Sequence, residues 1–304
     1  MKYRLGVDIG GTSVKIAALD SELKLTEKLR FPTGENCTSE EIMQNLIEHC
    51  REFIEKYDVE AIGVGSAGGI DPQKGVVVTA GNLPFRNEPV VSKLHDAFGI
   101  PVFIDNDGNC ALIGERAVGV CKGCVDTLII TLGTGVGGAV IMDNRIMRGR
   151  NNRAGELGHF TIDRNGPECE CGLHGCLERY VSATALIESV EKAVSENPNS
   201  ILAHIAKDGI NGKTAFDAKE QGCEIAAKVL DEYGRNLAIG VDCLTHIFSP
   251  ETIVIAGGIS NQGSALLELI APHRVTSKSR VVTTSLHGDG GIIGAALLGT
   301  EYSK

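Results

Sequence analysis

One short pattern occurs twice in this chain of 304 residues. Val7-Asp8-Ile9-Gly10-Gly11-Thr12 is the first copy, and Thr131-Leu132-Gly133-Thr134-Gly135-Val136-Gly137-Gly138 is the second. In both, a run of strand formers ends in glycine and threonine, and a second run follows. Glycine reverses a chain tightly and leaves backbone N–H groups uncovered by side chains. Two copies so far apart do not make a solenoid, whose units recur every ~20–50 residues. They predict two similar α/β domains facing each other across a cleft. The length allows this, at roughly 100–200 residues per domain.

The stretches around the copies alternate in period. Tyr3–Val7, Val14–Leu19 and Leu23–Phe31 read as strands. Thr38-Ser39-Glu40-Glu41 is a capping box, after which Ile42, Leu46, Cys50, Phe53 and Tyr57 recur at helical spacing. Strands at Ala61–Gly65, Gly75–Thr79 and Val102–Asp105 alternate with helices at Val90–Phe98 and Gly108–Ala117. Asp126–Leu132 and Val136–Met142 are strands flanking the second turn. Residues 149–181 are irregular and rich in glycine, cysteine and charge. A long helix over 222–248 is expected to bury Ile225, Val229, Tyr233, Leu237, Val241, Leu244 and Phe248. Thr252–Ala256 is a strand ended by Gly257-Gly258, Val281–Leu286 is a last strand, and Gly291–Leu298 opens a helix of small residues.

Composition removes several function classes. The formal net charge is -10, which disfavours nucleic acid and anionic membrane, both of which select basic surfaces. No apolar run approaches the ~18 residues of a membrane span. The N-terminus has acid and glycine where a signal peptide needs its apolar stretch, so a cytoplasmic protein is expected. Ten cysteines in 304 residues fall well below the ~8–10% of a disulfide scaffold, and most should be reduced.

Three groups of residues carry chemistry. The glycine turns expose N–H groups suited to phosphate oxygens, with Thr12 and Thr134 adding hydroxyls. Asp8, where the first strand ends, is placed to orient hydrated Mg²⁺ against those phosphates. Neither turn is a P-loop. Next, Asp105-Asn106-Asp107 lies at the carboxyl end of a strand, where open α/β sheets place ligands. It offers a carboxylate base and an amide suited to a polyol, with Asp105 expected as a helix cap. Last, Gly155-Glu156-Leu157-Gly158-His159 precedes Cys169, Cys171 and Cys176, a compact knuckle of three thiols. Thiolates plus one imidazole make a tetrahedral Cys₃His zinc site, with His159 and His174 both candidates for the fourth ligand. Four protein ligands leave no open position, so the zinc is structural. The Cys121-x-x-Cys124 pair has no partner pair and reads as incidental.

In order and spacing together, these segments resemble the ROK family of bacterial sugar kinases and regulators, over essentially the whole chain. The likeness is greatest to its ATP-dependent glucokinases. It implies an actin-like, ribonuclease-H-like fold with an N-terminal domain over 1–118, a C-terminal domain over 119–289 carrying the knuckle, and a helix at 290–304 returning to the first. It also implies roles. Asp107 matches the catalytic base. Gly68, Asn106, Glu156, His159 and Glu178 match residues that hold sugar hydroxyls, and His159, Cys169, Cys171 and Cys176 match the zinc ligands. Gly10, Gly11, Thr12, Gly133, Thr134, Gly135 and Gly137 match the phosphate loops, and Gly257 and Gly258 the adenosine side. Zn²⁺, Mg²⁺ with ATP, and a homodimer or higher homo-oligomer follow from the resemblance.

The chain departs from the family pattern in places. Asn152 stands where glycine is common, and Ser13 replaces a frequent lysine, with Lys15 two places on. A ROK-type repressor would need a helix-turn-helix ahead of a first strand that begins at Tyr3. A silent sugar sensor would not need Asp107 and both turns. Glucose is the expected acceptor; N-acetylglucosamine, N-acetylmannosamine, allose and fructose are the alternatives.

Overall fold

The computed structural model describes residues 1–33 and 37–303. Strands β1 (Tyr3–Ile9), β2 (Ser13–Leu19) and β3 (Leu25–Pro32) run antiparallel in succession. Helix α1 (Ser39–Lys56) starts on the expected box: the Thr38 hydroxyl accepts from the Glu41 N–H, and the Glu41 carboxylate accepts from the Thr38 N–H. It buries Ile42, Met43, Leu46, Cys50 and Phe53. β4 (Val59–Ser66) follows, then a small antiparallel sheet of β5 (Gly69–Asp71), β6 (Val76–Thr79) and β7 (Arg86–Glu88). Next come α2 (Val90–Phe98), β8 (Val102–Asn106) and α3 (Asp107–Val118).

The second half repeats the scheme with β9 (Thr127–Leu132), β10 (Val136–Met142) and β11 (Arg145–Ile146). After the knuckle come α4 (Glu178–Val181), α5 (Ala183–Glu196), α6 (Ile201–Ile205), α7 (Thr214–Glu220) and α8 (Glu224–Phe248). β12 (Thr252–Ala256), α9 (Ser264–Ile270), β13 (Arg280–Thr283) and α10 (Gly290–Ala296) complete the chain. The two large sheets have orders β3-β2-β1-β4-β8 and β11-β10-β9-β12-β13. These are the same order, strand for strand, and the duplication expected from the two turns extends to whole sheets. In each, the last three strands are parallel: β1, β4 and β8, and β9, β12 and β13.

The chain divides into two compact units, one of residues 1–125, 139–155 and 285–304, the other of 126–138 and 156–284. Residues 119–125 and 139–155 thus group with the first unit, unlike the sequence boundaries at 118 and 289. Polar contacts give the reason: the Asn144 N–H donates to the Val125 carbonyl at 3.2 Å, and Arg148 pairs with Asp105 at 2.6 Å. α10 packs on α3, β1 and β4. Glycines on both sides of the contact allow this closeness: a Cβ on Gly63 of β4 would stand 1.7 Å from the Ala295 carbonyl, and one on Gly294 of α10 1.7 Å from that of Cys110.

In the second unit α8 buries Ala226, Leu230, Tyr233, Leu237, Val241 and Leu244. Ile225, Val229 and Phe248 are only half-buried. The apolar face drifts around so long a helix, because the true period of 3.6 does not keep to a simple i, i+4 stripe. The last strand ends at Thr283 rather than Leu286, and the Thr284 N–H closes it on the Ile255 carbonyl at 2.9 Å.

Candidate active site

Parallel pairing places three segments of the first unit together. Ile9 pairs with Ser66, and Ser66 with Asn106. The carboxyl ends of β1, β4 and β8 therefore lie side by side, and Gly10, Gly68 and Asp107 emerge at one edge of the sheet. The Gly10 N–H donates to the Ser13 carbonyl at 3.0 Å, and the Thr33 hydroxyl donates to the Gly11 carbonyl at 2.9 Å. Gly68 has φ 104°, and a Cβ there would stand 2.2 Å from the Thr79 carbonyl, so the position requires glycine.

Asn106, not Asp105, caps α3. Its Oδ1 accepts from the N–H groups of Gly108 (2.9 Å) and Asn109 (3.3 Å), and its Nδ2 donates to the Gly68 carbonyl at 3.3 Å. Asp105 is instead 2% exposed and ion-paired with Arg148. Asp107 is half-buried on the first turn of α3, with the Gly108 N–H donating to its Oδ1 at 2.9 Å. Desolvation first, and the nearby Asp8 carboxylate second, raise the Asp107 pKa above the ordinary carboxylate value. A carboxylate raised in this way is a better proton acceptor. Asp8 itself takes a 2.9 Å bond from Lys15 Nζ, a pairing that the sequence did not announce.

The second unit builds its own constellation. Ala256 pairs with Thr131 in parallel, which sets the turn at Gly133–Gly135 beside Gly257-Gly258. Gly257 has φ 87°, and a Cβ there would stand 2.4 Å from the Leu132 carbonyl; Gly258 faces open space. The Gly133 N–H donates to the Gly135 carbonyl at 3.0 Å. Glu178 Oε2 accepts from the Val136 N–H at 2.8 Å, so one oxygen of this expected sugar ligand is engaged by the second glycine turn. Gly137 lies against the Thr131 hydroxyl, 2.6 Å from where a Cβ would be.

His159, Cys169, Cys171 and Cys176 come together, with all ligand atoms within 4.8 Å of one another. His159 Nδ1 is 3.6 Å from Cys169 Sγ, and the Cys171 and Cys176 sulfurs are 3.5 Å apart. Zn–S bonds of about 2.3 Å in a tetrahedron put sulfurs roughly 3.8 Å apart, so the set fits zinc. Burial, reinforced by the adjacent thiols, pushes Cys176 up to about 12. His174 stands outside the set, its Nδ1 3.4 Å from the Gly166 carbonyl. The loop returns on itself: the Cys169 N–H donates to the Leu173 carbonyl at 2.8 Å and the Glu178 N–H to the Gly158 carbonyl at 3.0 Å. Glu156 is exposed on the turn before His159.

Sequence reasoning missed three contributors. Arg148 compensates Asp105, Thr184 donates to the Thr134 carbonyl at 2.8 Å, and Asn82 packs on Gly11, 2.7 Å from where a Cβ would stand. None has a spacing rule that would reveal it. Asn152, where the family commonly has glycine, adopts φ 55°. Asparagine tolerates that left-handed conformation better than most residues.

The family model described as the ROK family matches residues 4–301. A glucokinase of Halalkalibacterium halodurans is 34% identical, over 98% of this chain and 94% of that one. A glucokinase of Thermotoga maritima is 33% identical, over 96% and 95%. Among solved structures, a ROK family glucokinase of Streptomyces griseus in complex with glucose and AMPPNP has a TM-score of 0.83 at 32% identity, covering 97% of this chain and 98% of that one.

Proposed function

This chain belongs to the ROK family, and from that premise we propose that it is an ATP-dependent sugar kinase that converts glucose to glucose 6-phosphate. The observation that carries the reading is similarity to glucokinases over nearly the full length of both chains. The fold is the actin-like ATPase fold of its ROK structural neighbours.

We assign the roles residue by residue. Asp107 takes the proton from the sugar 6-hydroxyl as that oxygen attacks the γ-phosphorus; the bond to the bridging oxygen breaks and ADP leaves. Phosphoryl transfer asks for an in-line acceptor, a base and neutralised phosphate charge. The raised pKa of Asp107 suits the second of these. Gly68, Asn106, Glu156, His159 and Glu178 are assigned to sugar hydroxyls. Gly10–Thr12 and Gly133–Gly137 are assigned to phosphates, and Gly257-Gly258 to the adenosine.

Mg²⁺ arriving with ATP would neutralise phosphate charge, and Asp8 is the carboxylate placed to orient its water shell. Zinc held by His159, Cys169, Cys171 and Cys176 would cross-link the knuckle and fix the His159 ring. With Nδ1 facing the thiols, His159 keeps Nε2–H as a donor for a hydroxyl. The same reading takes the chain as a homo-oligomer, and a monomer mass by light scattering at working concentration removes that part.

The test of substrate is comparative kcat/KM for glucose, mannose, allose, fructose and the N-acetylhexosamines, with ATP. Glucose should lead, because buried groups left unpaired by an analogue cost up to ~10⁴-fold. Another sugar ahead of glucose by about tenfold would reassign the substrate within the same reaction class, an advantage one well-placed contact can supply.

A further inference from the structure

The turn that carries Asp107 rests on a buried charge. Asp105 is 2% exposed, and an ionised carboxylate at such a site needs full compensation. Its Oδ1 accepts from the Asn106 N–H and from Asn109 Nδ2, both at 2.8 Å. Its Oδ2 accepts from Arg148 Nε at 2.9 Å and Nη2 at 2.6 Å. Asn109 is bound in turn through its own N–H to Asn106 Oδ1 at 3.3 Å. Asp105 and Asn106 therefore grip the first turn of α3 from both sides of Asp107.

Arg148 comes from a different part of the chain. It follows β11, its carbonyl accepts from the Ala154 N–H at 3.1 Å, and its Nη2 also donates to the Ser303 carbonyl at 3.2 Å. Its side chain is 27% exposed, against 3% for Asp105. It lines a cavity of about 320 Å³ with Gly75, Val91, Phe103, Leu298 and Gly299. Asp105 lines the same cavity, so a small cation entering there can reach the place of the guanidinium beside the carboxylate.

We propose that Arg148 is a positioning residue for phosphoryl transfer: through Asp105 it holds the Asn106–Asp107 turn in the geometry the base requires. The inference rests on the assignment of Asp107 as that base. Without Arg148 the buried Asp105 loses its cation. It must then take up a proton or draw in water, and either weakens the bonds from its Oδ1 to the turn. A displacement of about 1 Å at a reacting group costs on the order of 10²-fold in rate. Arg148 touches none of the groups assigned to ATP, so the loss should fall on kcat.

The experiment is chemical rescue of Arg148→Ala. The variant should lose about 10–100-fold in kcat, with the KM for ATP within about twofold of wild type. Truncation joins the side chain's space to the cavity, so added guanidinium at low, non-denaturing concentration can enter. It should raise kcat at least about fivefold, whereas urea, its neutral isostere, should not, because a charge-assisted bond is roughly twice as strong as a neutral one. The Asp105→Asn, Arg148→Ala double variant should show no rescue. Wild-type kcat in Arg148→Ala, or equal effects of urea and guanidinium, would overturn the proposal. If Arg148→Ala does not fold, Arg148→Lys keeps the charge without the planar fork; an intermediate kcat supports the proposal and an unchanged one overturns it. Asp107→Asn separates the two ideas. An active Asp107→Asn enzyme removes the base assignment. An inactive one beside a fully active Arg148→Ala removes only this link.

Discussion

At Gly10–Thr12 the backbone is held by its own sheet: the Thr33 N–H and hydroxyl, from the end of β3, donate to the Thr12 and Gly11 carbonyls. At the Gly133–Gly135 turn and the Val136 that follows it, the partners are 42 to 50 residues away in the chain. The Ala183 N–H donates to the Gly133 carbonyl at 2.8 Å, the Thr184 hydroxyl to the Thr134 carbonyl at 2.8 Å, and Glu178 accepts from the Val136 N–H at 2.8 Å. Those partners begin directly after Cys176. Two turns of one sequence pattern thus differ in what they depend on. The first follows the integrity of a sheet, and the second follows the integrity of the knuckle. The Cys/His cluster, Glu178 and the Gly133–Gly135 turn form one mechanical chain in the second unit.

The largest expected effect should leave both turns intact. Asp107→Asn should lose roughly 10²–10⁴-fold in kcat, the usual contribution of a general base, with little change in the KM for ATP. Retention of near wild-type turnover would place the base elsewhere. The same substitution should raise the melting temperature at neutral pH. Asp107 has a folded pKa above its unfolded one, by desolvation and then by Asp8. Its charge therefore costs stability above the folded pKa, and the cost is relieved as pH falls through that value. The stability advantage of the asparagine variant should shrink over that acid window, which thermal melts across pH would detect. The acid limb of kcat should lie above the pH of an ordinary carboxylate for the same reason.

Removal of the metal should separate the turns. Metal analysis of the wild type should find about one zinc per chain, the stoichiometry of a single closed four-ligand site, and Cys171→Ser should lose it. Structural zinc is bound with folding free energy, so the knuckle should loosen and Glu178 with it. Amide exchange should speed up at residues 133–136 and stay unchanged at 10–12, and the KM for ATP should rise. Equal acceleration at both turns, or at neither, would break the contrast between them.

How much of this was legible depended on the range of each interaction. The capping box, the hairpins and the glycine turns are local, and each was readable because periodicity or a turn residue marks it. α5 went unread although Ser182 caps it and Ala185, Leu186, Val190 and Ala193 form its buried face. Half of that face is alanine, which gives a weak apolar signal. Asp105 looked like a cap because aspartate before a helix usually is one. Its partner lies 43 positions away, and no spacing in the sequence points to such a pair. The cluster of His159, Cys169, Cys171 and Cys176 was legible as a set because three thiols so closely spaced beside a histidine match the ligand spacing of a closed zinc site.

The smallest expected effect is the most direct measure of the contrast, since it removes one hydrogen bond from each turn. Thr33→Val deletes the donor to the Gly11 carbonyl, and Thr184→Val deletes the donor to the Thr134 carbonyl. Valine keeps the shape, so each variant loses one bond, whose net worth is on the order of 1 kcal/mol. Thr33 is 1% exposed, and its variant leaves a carbonyl without that donor inside the first unit; its cost should be the larger and should appear in global stability. Thr184 is half-buried at the start of α5, where water can replace the lost donor. Its cost should appear less in melting temperature than in the KM for ATP, because the carbonyl it releases belongs to the turn itself. Denaturant melts and ATP titrations on the two variants measure both quantities. If Thr184→Val lowers stability as much as Thr33→Val and leaves the KM for ATP unchanged, the second turn is held by its own strands after all, and its dependence on the knuckle falls away.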